Sequence, residues 1–480
     1  MKGKPAFGLF AYFWALSALF DLIPRVAWFD SGAHTLLACC AVFVLLRPTS
    51  LVGFGFFSVV RLAAFLHDSP HTPNHQVLFA VAGATILCAA IPLLWRDRKA
   101  APGTEPLLNH ESWLAAFSPL LRALAVSLYL YAVLHKLNWA YFDPSVSCAV
   151  NTFGRLAPGW VQALYPDGRP AEYVLIFGSL LAEASLPFLL LFARTRLLGF
   201  CAGVFFHSLL GLGYFHFSTG LFGLYCLFIP PSATTHVFAR VQAWRSGVAW
   251  RERLATPMAV GLIGLALVVA MVVVREVDRP TYRLLRYLWM AGVFAGLAVG
   301  VHVPGEWRLW RDSPLGRLRD ARLGFVFPIL MAFIGLSPYL GMRTAPTFSM
   351  FSNLRTEGGI SNHLFMPATA LHLASYQDDL VQIRATNRRA INRFANQGRL
   401  RTFYDLRAEI QRLVREEREA GDLAEGEVLP PIYLRFDRGS RSYTLGDAGE
   451  NPEIMAEIGW LEGKWMNFRP VPAERQACSW

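Results

Sequence analysis

Ionisable side chains inside long apolar runs are costly to bury and are kept where they pair, line a cavity or do chemistry. Five stand out in this chain: Arg61, Arg122, Lys136, Glu183 and His207. Lys136 belongs to the stretch Tyr129-Leu-Tyr-Ala-Val-Leu-His135-Lys136-Leu137-Asn138-Trp139, at the end of an apolar run. Desolvation there favours the neutral amine, which is a proton acceptor. Two histidines are candidates to work beside it: His75, which follows Asn74 in Pro70-His71-Thr72-Pro73-Asn74-His75, and His207, between Phe206 and Ser208. The order of the runs allows three helices to bring Lys136, His75 and His207 to a water-excluded cavity near the outer leaflet. Plainer readings stand beside this one. A lysine at a helix C-terminus also serves as a dipole partner or a snorkelling anchor. The histidines also fit hydrogen-bonded structural roles, Arg122 and Glu183 a buried pair, and Arg61 a snorkelling residue or a carbonyl partner.

The elements that must position these residues are membrane helices. Of 480 residues, 54% are hydrophobic, 14% aromatic and 16% charged, and the mean hydropathy is +0.35. A soluble domain carries roughly a quarter charged residues, so soluble enzyme, disordered protein and disulfide-rich secreted domain are set aside. Eleven apolar runs are candidates to cross the hydrocarbon core: near 6–24, 33–46, 50–67, 76–94, 112–135, 171–193, 197–215, 217–230, 256–275, 284–302 and 323–341. The second and eighth are short enough to be re-entrant. The first follows Lys2 and Lys4 and reads as a retained helix, since no small-x-small exit follows it.

The formal charge of +11 lies wholly in the apolar part: residues 1–342 hold 27 Lys and Arg against 16 Asp and Glu, and residues 343–480 hold 18 of each. That is the pattern of cationic cytoplasmic loops and not of a nucleic-acid face. The basic groups Arg96 to Lys99, Arg194 with Arg196, Arg240 to Arg253 and Arg308 to Arg322 fall on alternate loops. They place the N-terminus in the cytoplasm and the tail outside; the membrane expected is a bacterial inner or plasma membrane. The loop around Arg275, Arg279 and Arg283 breaks the rule.

The chain is therefore expected to be an all-α polytopic bundle over residues 1–342 with a small α+β extracytoplasmic domain over 343–480. In that tail, Leu400 to Glu419 reads as a helix. Ile432 to Phe436 reads as a strand, with Asp437-Arg438-Gly439-Ser440 as a turn. The segment Ser337 to His363 carries Arg343, Arg355, Glu357 and His363, and fits either a substrate lid or a rigid polar collar. Seven cysteines include no CxxC and no Cys/His zinc spacing, so no metal is predicted. Whether Cys148 and Cys478, both expected outside, form a disulfide stays open.

These motifs resemble the HTTM superfamily, which includes the vitamin K-dependent gamma-carboxylase family. The order is shared: Asn74-His75 opening a helix, Tyr131 to Leu137 with its His135-Lys136, then Phe205-Phe206-His207 leading to Phe215 to Phe222. The resemblance covers roughly residues 10–365. It implies a membrane enzyme in which Lys136 deprotonates a reduced vitamin K-like quinone such as menaquinol and His75 assists. Asn74, His135, Glu183, His207, Arg355, Glu357 and His363 would then line the pocket. Oxygen and carbon dioxide would be co-substrates for modifying an extracytoplasmic substrate, with carboxylation one form. The resemblance departs at His135, where the animal carboxylase has a second lysine, at Asn138, where it has an acid, and in a far shorter tail. The alternative from another class is a non-catalytic lipid- or quinone-binding module or a peptide-maturation partner. Expected partners are the bilayer, a lipid-soluble quinone and an unidentified peptide or small molecule, with no nucleic acid.

Overall fold

The computed structural model describes residues 4–23, 31–100, 105–157, 159–230, 232–235, 239, 257–301, 307, 322–367, 372–420, 430–472 and 478. The first half is helical: α1 (Lys4–Leu22), α2 (Gly32–Leu46), α3 (Leu51–Asp68), α4 (Asn74–Lys99), α5 (His110–Lys136), the short α6 (Trp139–Phe142), α7 (Cys148–Leu156) and α8 (Gly159–Leu164), then α9 (Arg169–Leu191) and α10 (Arg196–Cys226). After these come α11 (Pro257–Val277), α12 (Arg279–Val301) and α13 (Val326–Leu336). Among the described residues, seven helices are long and apolar enough to cross a membrane, in α1, α3, α4, α5, α9, α10 and α11, and α2 and α13 are shorter apolar helices. The basic group Arg308 to Arg322 lies outside the described residues except for Arg322, as do Arg240 to Arg253.

Two features of the runs have local causes. The seventh and eighth runs are two helical halves of α10 that meet at Tyr214 (φ −122°, ψ 50°) and fold back on each other, so that His207 of one half lies beside Phe217 and Tyr225 of the other. A side chain that captures a carbonyl opens the helical ladder, and Arg286 of α12 donates to the Leu212 carbonyl just before the bend. Arg275, Arg279 and Arg283 are not loop residues: α11 and α12 are separated by Asp278 alone, and Arg275 donates to the Ile23 carbonyl at 2.7 Å.

The tail folds as β1 (Leu380–Thr386), α14 (Arg389–Asn396), β2 (Arg399–Thr402), α15 (Phe403–Ala420), β3 (Leu434–Arg438), β4 (Arg441–Leu445), α16 (Trp460–Trp465) and β5 (Val471–Pro472). The strands form one antiparallel sheet in the order β4-β3-β1-β2-β5. Alternation places Val381 and Ile383 of β1 on the core face, where they cluster with Ile391, Leu406, Ile410 and Leu434. The helix expected from Leu400 begins instead at Phe403, because Leu400 to Thr402 pair with β1 and Thr402 Oγ1 accepts the Asp405 N–H at 3.1 Å. Strand β3 begins at Leu434, two residues later than expected, and runs two residues beyond Phe436, and the turn contracts to Gly439-Ser440 with Gly439 at φ 58°. Arg438 stays in the strand through a paired contact to Asp379 at 2.6 Å and 2.8 Å.

The chain divides into two compact units. The first holds residues 1–67, 75–130 and 180–332, and the second holds 68–74, 131–179 and 333–480.

Candidate functional site

In the second unit, Lys136 closes α5 with 4% of its surface exposed, its Nζ 6.0 Å from the centre of the Tyr141 ring. The residues around it are fixed by side-chain bonds to backbone. His135 has no exposed surface; its Nδ1 meets the Tyr339 hydroxyl at 3.0 Å and its Nε2 the Thr347 carbonyl at 3.0 Å. A carbonyl only accepts, so Nε2 carries a proton and donates it, while the Tyr339 hydroxyl is the partner of Nδ1. Both nitrogens of His135 are thus committed to hydrogen bonds. Asn138 caps α6 by accepting the Tyr141 N–H at 2.9 Å, and its amide donates to the His135 carbonyl at 2.8 Å and to the Ser352 carbonyl.

The segment after α13 is hydrogen-bonded to this group. Trp139 N–H donates to the Asn362 carbonyl at 3.1 Å and Leu364 N–H to the Leu137 carbonyl at 2.9 Å. His363 accepts two backbone N–H groups on Nδ1, each at 3.0 Å, so its Nε2–H donates to the Leu134 carbonyl at 2.9 Å. Burial favours its neutral form. Arg355 donates its side chain to the Pro472 carbonyl at 3.3 Å. Glu357, with no exposed surface, pairs with Arg469 at 3.2 Å and accepts the Thr356 N–H at 2.9 Å. Asn74 also belongs to this unit: its Oδ1 accepts the N–H of Phe348, a residue at φ 62°. Phe351 and Asn353 share that left-handed conformation at φ 57° and 55°, which is strained for residues with a Cβ. Cys148 and Cys478 form a disulfide.

The other candidates lie in the first unit, where a different constellation forms. His75 opens α4, and its Nε2 meets Asp21 Oδ1 of α1 at 2.6 Å. The His216 ring of α10 lies 4.8 Å from the His75 ring. Arg61 of α3 meets a carbonyl, as one plain reading had it: it donates to Trp14 O at 3.0 Å, and its guanidinium lies 4.5 Å and 4.7 Å from the Trp14 and Phe79 ring centres. His207 Nε2 is hydrogen-bonded to the Tyr129 hydroxyl, which meets that of Tyr225 at 2.7 Å. Glu183 on α9 is near enough to act electrostatically on Tyr129. Arg122 donates to the Leu227 carbonyl at 2.7 Å.

Asp21, His75 and His216 offer three ligand atoms within 4.8 Å of one another. At 2.6 Å, however, the Asp21–His75 contact is closer than the roughly 3.3 Å between ligand atoms implied by tetrahedral zinc bonds of about 2.0–2.1 Å. As it stands it is a carboxylate–imidazole hydrogen bond. Sequence reasoning missed Asp21, His216, Tyr129 and Tyr225. Asp21 had a signal, a lone acid at the end of an apolar run; the tyrosines had none, since a Tyr in such a run also fits the aromatic belt.

The first unit also carries a half-open apolar cavity of about 580 Å³ lined by residues that include Leu9, Phe13, Leu16, Leu267, Leu288 and Trp289. No family model, curated protein or solved structure matches the chain.

Proposed function

We propose that the chain is a polytopic membrane enzyme of the HTTM, gamma-carboxylase-like kind, in which Lys136 takes a proton from a reduced quinone on the extracytoplasmic side. The observation that carries this reading is the burial of Lys136 at the end of an apolar helix, beside an imidazole whose two nitrogens are both hydrogen-bonded. His135 is therefore a positioning residue and not a second base. A reduced quinone of the menaquinol type would supply electrons for oxygen chemistry when bound. The chain's own part is to accept the proton at Lys136 Nζ, present the Tyr141 ring and keep water out with the 344–363 collar. Carbon dioxide as co-substrate, and carboxylation as the outcome, rest on the resemblance alone.

The proposed membrane arrangement has eleven crossings, a cytoplasmic N-terminus and an extracytoplasmic second unit. The Cys148–Cys478 disulfide supports that side for the second unit, because disulfides persist in oxidising compartments. The apolar cavity of the first unit supports a lipid-soluble ligand, its volume falling in the usual range of roughly 300–1,000 Å³ for ligand sites. The same cavity favours the second reading, a lipid- or quinone-binding module without chemistry.

Oxidation of menaquinol by the purified protein in nanodiscs, with products followed by mass spectrometry, tests the proposal. Turnover that falls at least a hundredfold in Lys136→Ala supports the enzyme. Equal turnover in the two proteins removes Lys136 as the base, and quinone binding without turnover in either moves the assignment to the binding module.

A further inference from the structure

We propose that the second unit carries a carboxylate-binding site in the cleft between α14, α15 and residues 467–470, with Arg401 and Arg393 as its cationic walls. The site is independent of the chemistry assigned to Lys136. The cleft has a volume of about 550 Å³ and is lined by residues that include His71, Arg393, Phe394, Arg401, Asp405 and Phe468.

Arg401 carries the argument. Its side chain is 6% exposed, yet among the described residues its Nε and Nη1 have no hydrogen-bond partner. Among the described residues its one hydrogen bond is a long contact of 3.4 Å from Nη2 to the Asp405 carbonyl. Buried guanidinium N–H groups are almost always satisfied, because an unmade bond to a charged donor is expensive. The guanidinium carbon stands 4.2 Å from the Phe394 ring centre, and that of the exposed Arg393 stands 4.6 Å from the same ring. Aromatic packing of this kind holds the planar fork in one orientation, as bidentate recognition of a planar anion requires.

The neighbouring charges select the anion. Arg412 is already engaged by Glu409 at 2.9 Å and Glu416 at 2.6 Å, which leaves Arg401 and Arg393 as the cations available to a ligand. Burial pushes the Asp405 carboxyl up to about 7, so near neutrality it is part protonated and can donate to a carboxylate. Glu409 is held ionised by Arg412 and repels a dianion more than a monoanion. Phe394 and Phe468 offer apolar contact to a short carbon chain. The shared chemistry is therefore a singly charged aliphatic carboxylate, from the acidic side chain of a peptide or from a free organic acid.

Calorimetry on the full chain in nanodiscs at pH 7 tests this with four probes: a blocked Ala-Glu-Ala peptide, its Gln counterpart, butyrate and butyramide. At least one carboxylate is expected to bind at least tenfold more tightly than its amide. Arg401→Gln is expected to weaken it at least tenfold and Arg393→Gln, an exposed position, at least threefold. Tighter binding of the peptide names an acidic side chain as the source, and equal or tighter binding of butyrate names a free acid; both support the site. No preference for carboxylate over amide overturns it, as does unchanged affinity in Arg393→Gln, or inorganic phosphate binding more tightly than either carboxylate. If Arg401→Gln fails to fold, the amide controls and Arg393→Gln still decide.

Discussion

Glu357 shows what burial does to a single charge. Its carboxylate has no exposed surface and faces Arg469, itself 4% exposed, at 3.2 Å. Removing one member of such a pair strands the other, at a cost of about 3–5 kcal/mol. Glu357→Gln is therefore expected to lower the melting temperature of the purified protein markedly, while a Glu357→Gln, Arg469→Met double variant recovers part of the loss. Asp405 sets a pH dependence of the opposite kind from an ordinary salt-bridged acid. Its carboxyl rises from 3.8 to about 7 on folding, so the folded state holds the proton more tightly. The stability this proton contributes is fully present below about pH 4 and is lost as pH rises through about 7. Asp405→Asn should flatten that part of the stability–pH curve, as read by melting temperature between pH 5 and 8. Lys136, Glu183, His207 and Arg61 were legible because charge in an apolar run announces itself. Asp405 was not, since nothing in a Glu- and Arg-rich segment marks which acid the fold will bury.

Helix α4 and the two halves of α10 are packed to the point where one methyl group matters. A Cβ built on Gly220 would lie 1.9 Å from Phe79 Cζ, and one on Gly203 would lie 2.1 Å from the Tyr225 hydroxyl. Phe79 also carries the Arg61 guanidinium on its face, and Tyr225 holds the hydroxyl of Tyr129. Gly220→Ala should therefore destabilise by about 1–3 kcal/mol, measured by thermal unfolding, with Gly292→Ala, which meets no atom within 4 Å, as the neutral control. The long apolar helices were readable from run length alone, because a helix that crosses lipid must satisfy its own backbone. The bend at Tyr214 was legible as the boundary between two runs, whereas the Arg286-to-Leu212 contact that accompanies it was not, since it comes from a helix some seventy residues away. In the tail, β3 was found almost in place by its alternation, whereas β2 was absorbed into the following helix. Its four residues show no period of their own, and pairing with β1 decides their conformation.

At the scale of the whole molecule, the chain ties its last residues to its middle. Cys148 and Cys478 are 330 positions apart and form a disulfide. Around it, Cys148 N–H donates to Asn353 Oδ1 at 2.6 Å and Cys478 N–H to the Val146 carbonyl at 3.2 Å. The cysteine pair could be counted in the sequence, but its pairing could not, because loop closure over that distance depends on the intervening fold. Linking residues so far apart typically stabilises by about 2–4 kcal/mol, mainly by restricting the unfolded chain. Cys148→Ser should therefore lower the melting temperature, and wild type under reductant should match it. The same bond tests the proposed orientation, since it forms only where thiols are oxidised. Acid-quenched cells treated with an alkylating reagent before and after reduction should yield Cys148 and Cys478 modified only after reduction. Both thiols modified before reduction, in cells whose periplasmic control protein is oxidised, would place the second unit on the cytoplasmic side. Since α5 ends in Lys136, that outcome would move the lysine to the inner face and remove the extracytoplasmic site from the proposed reaction.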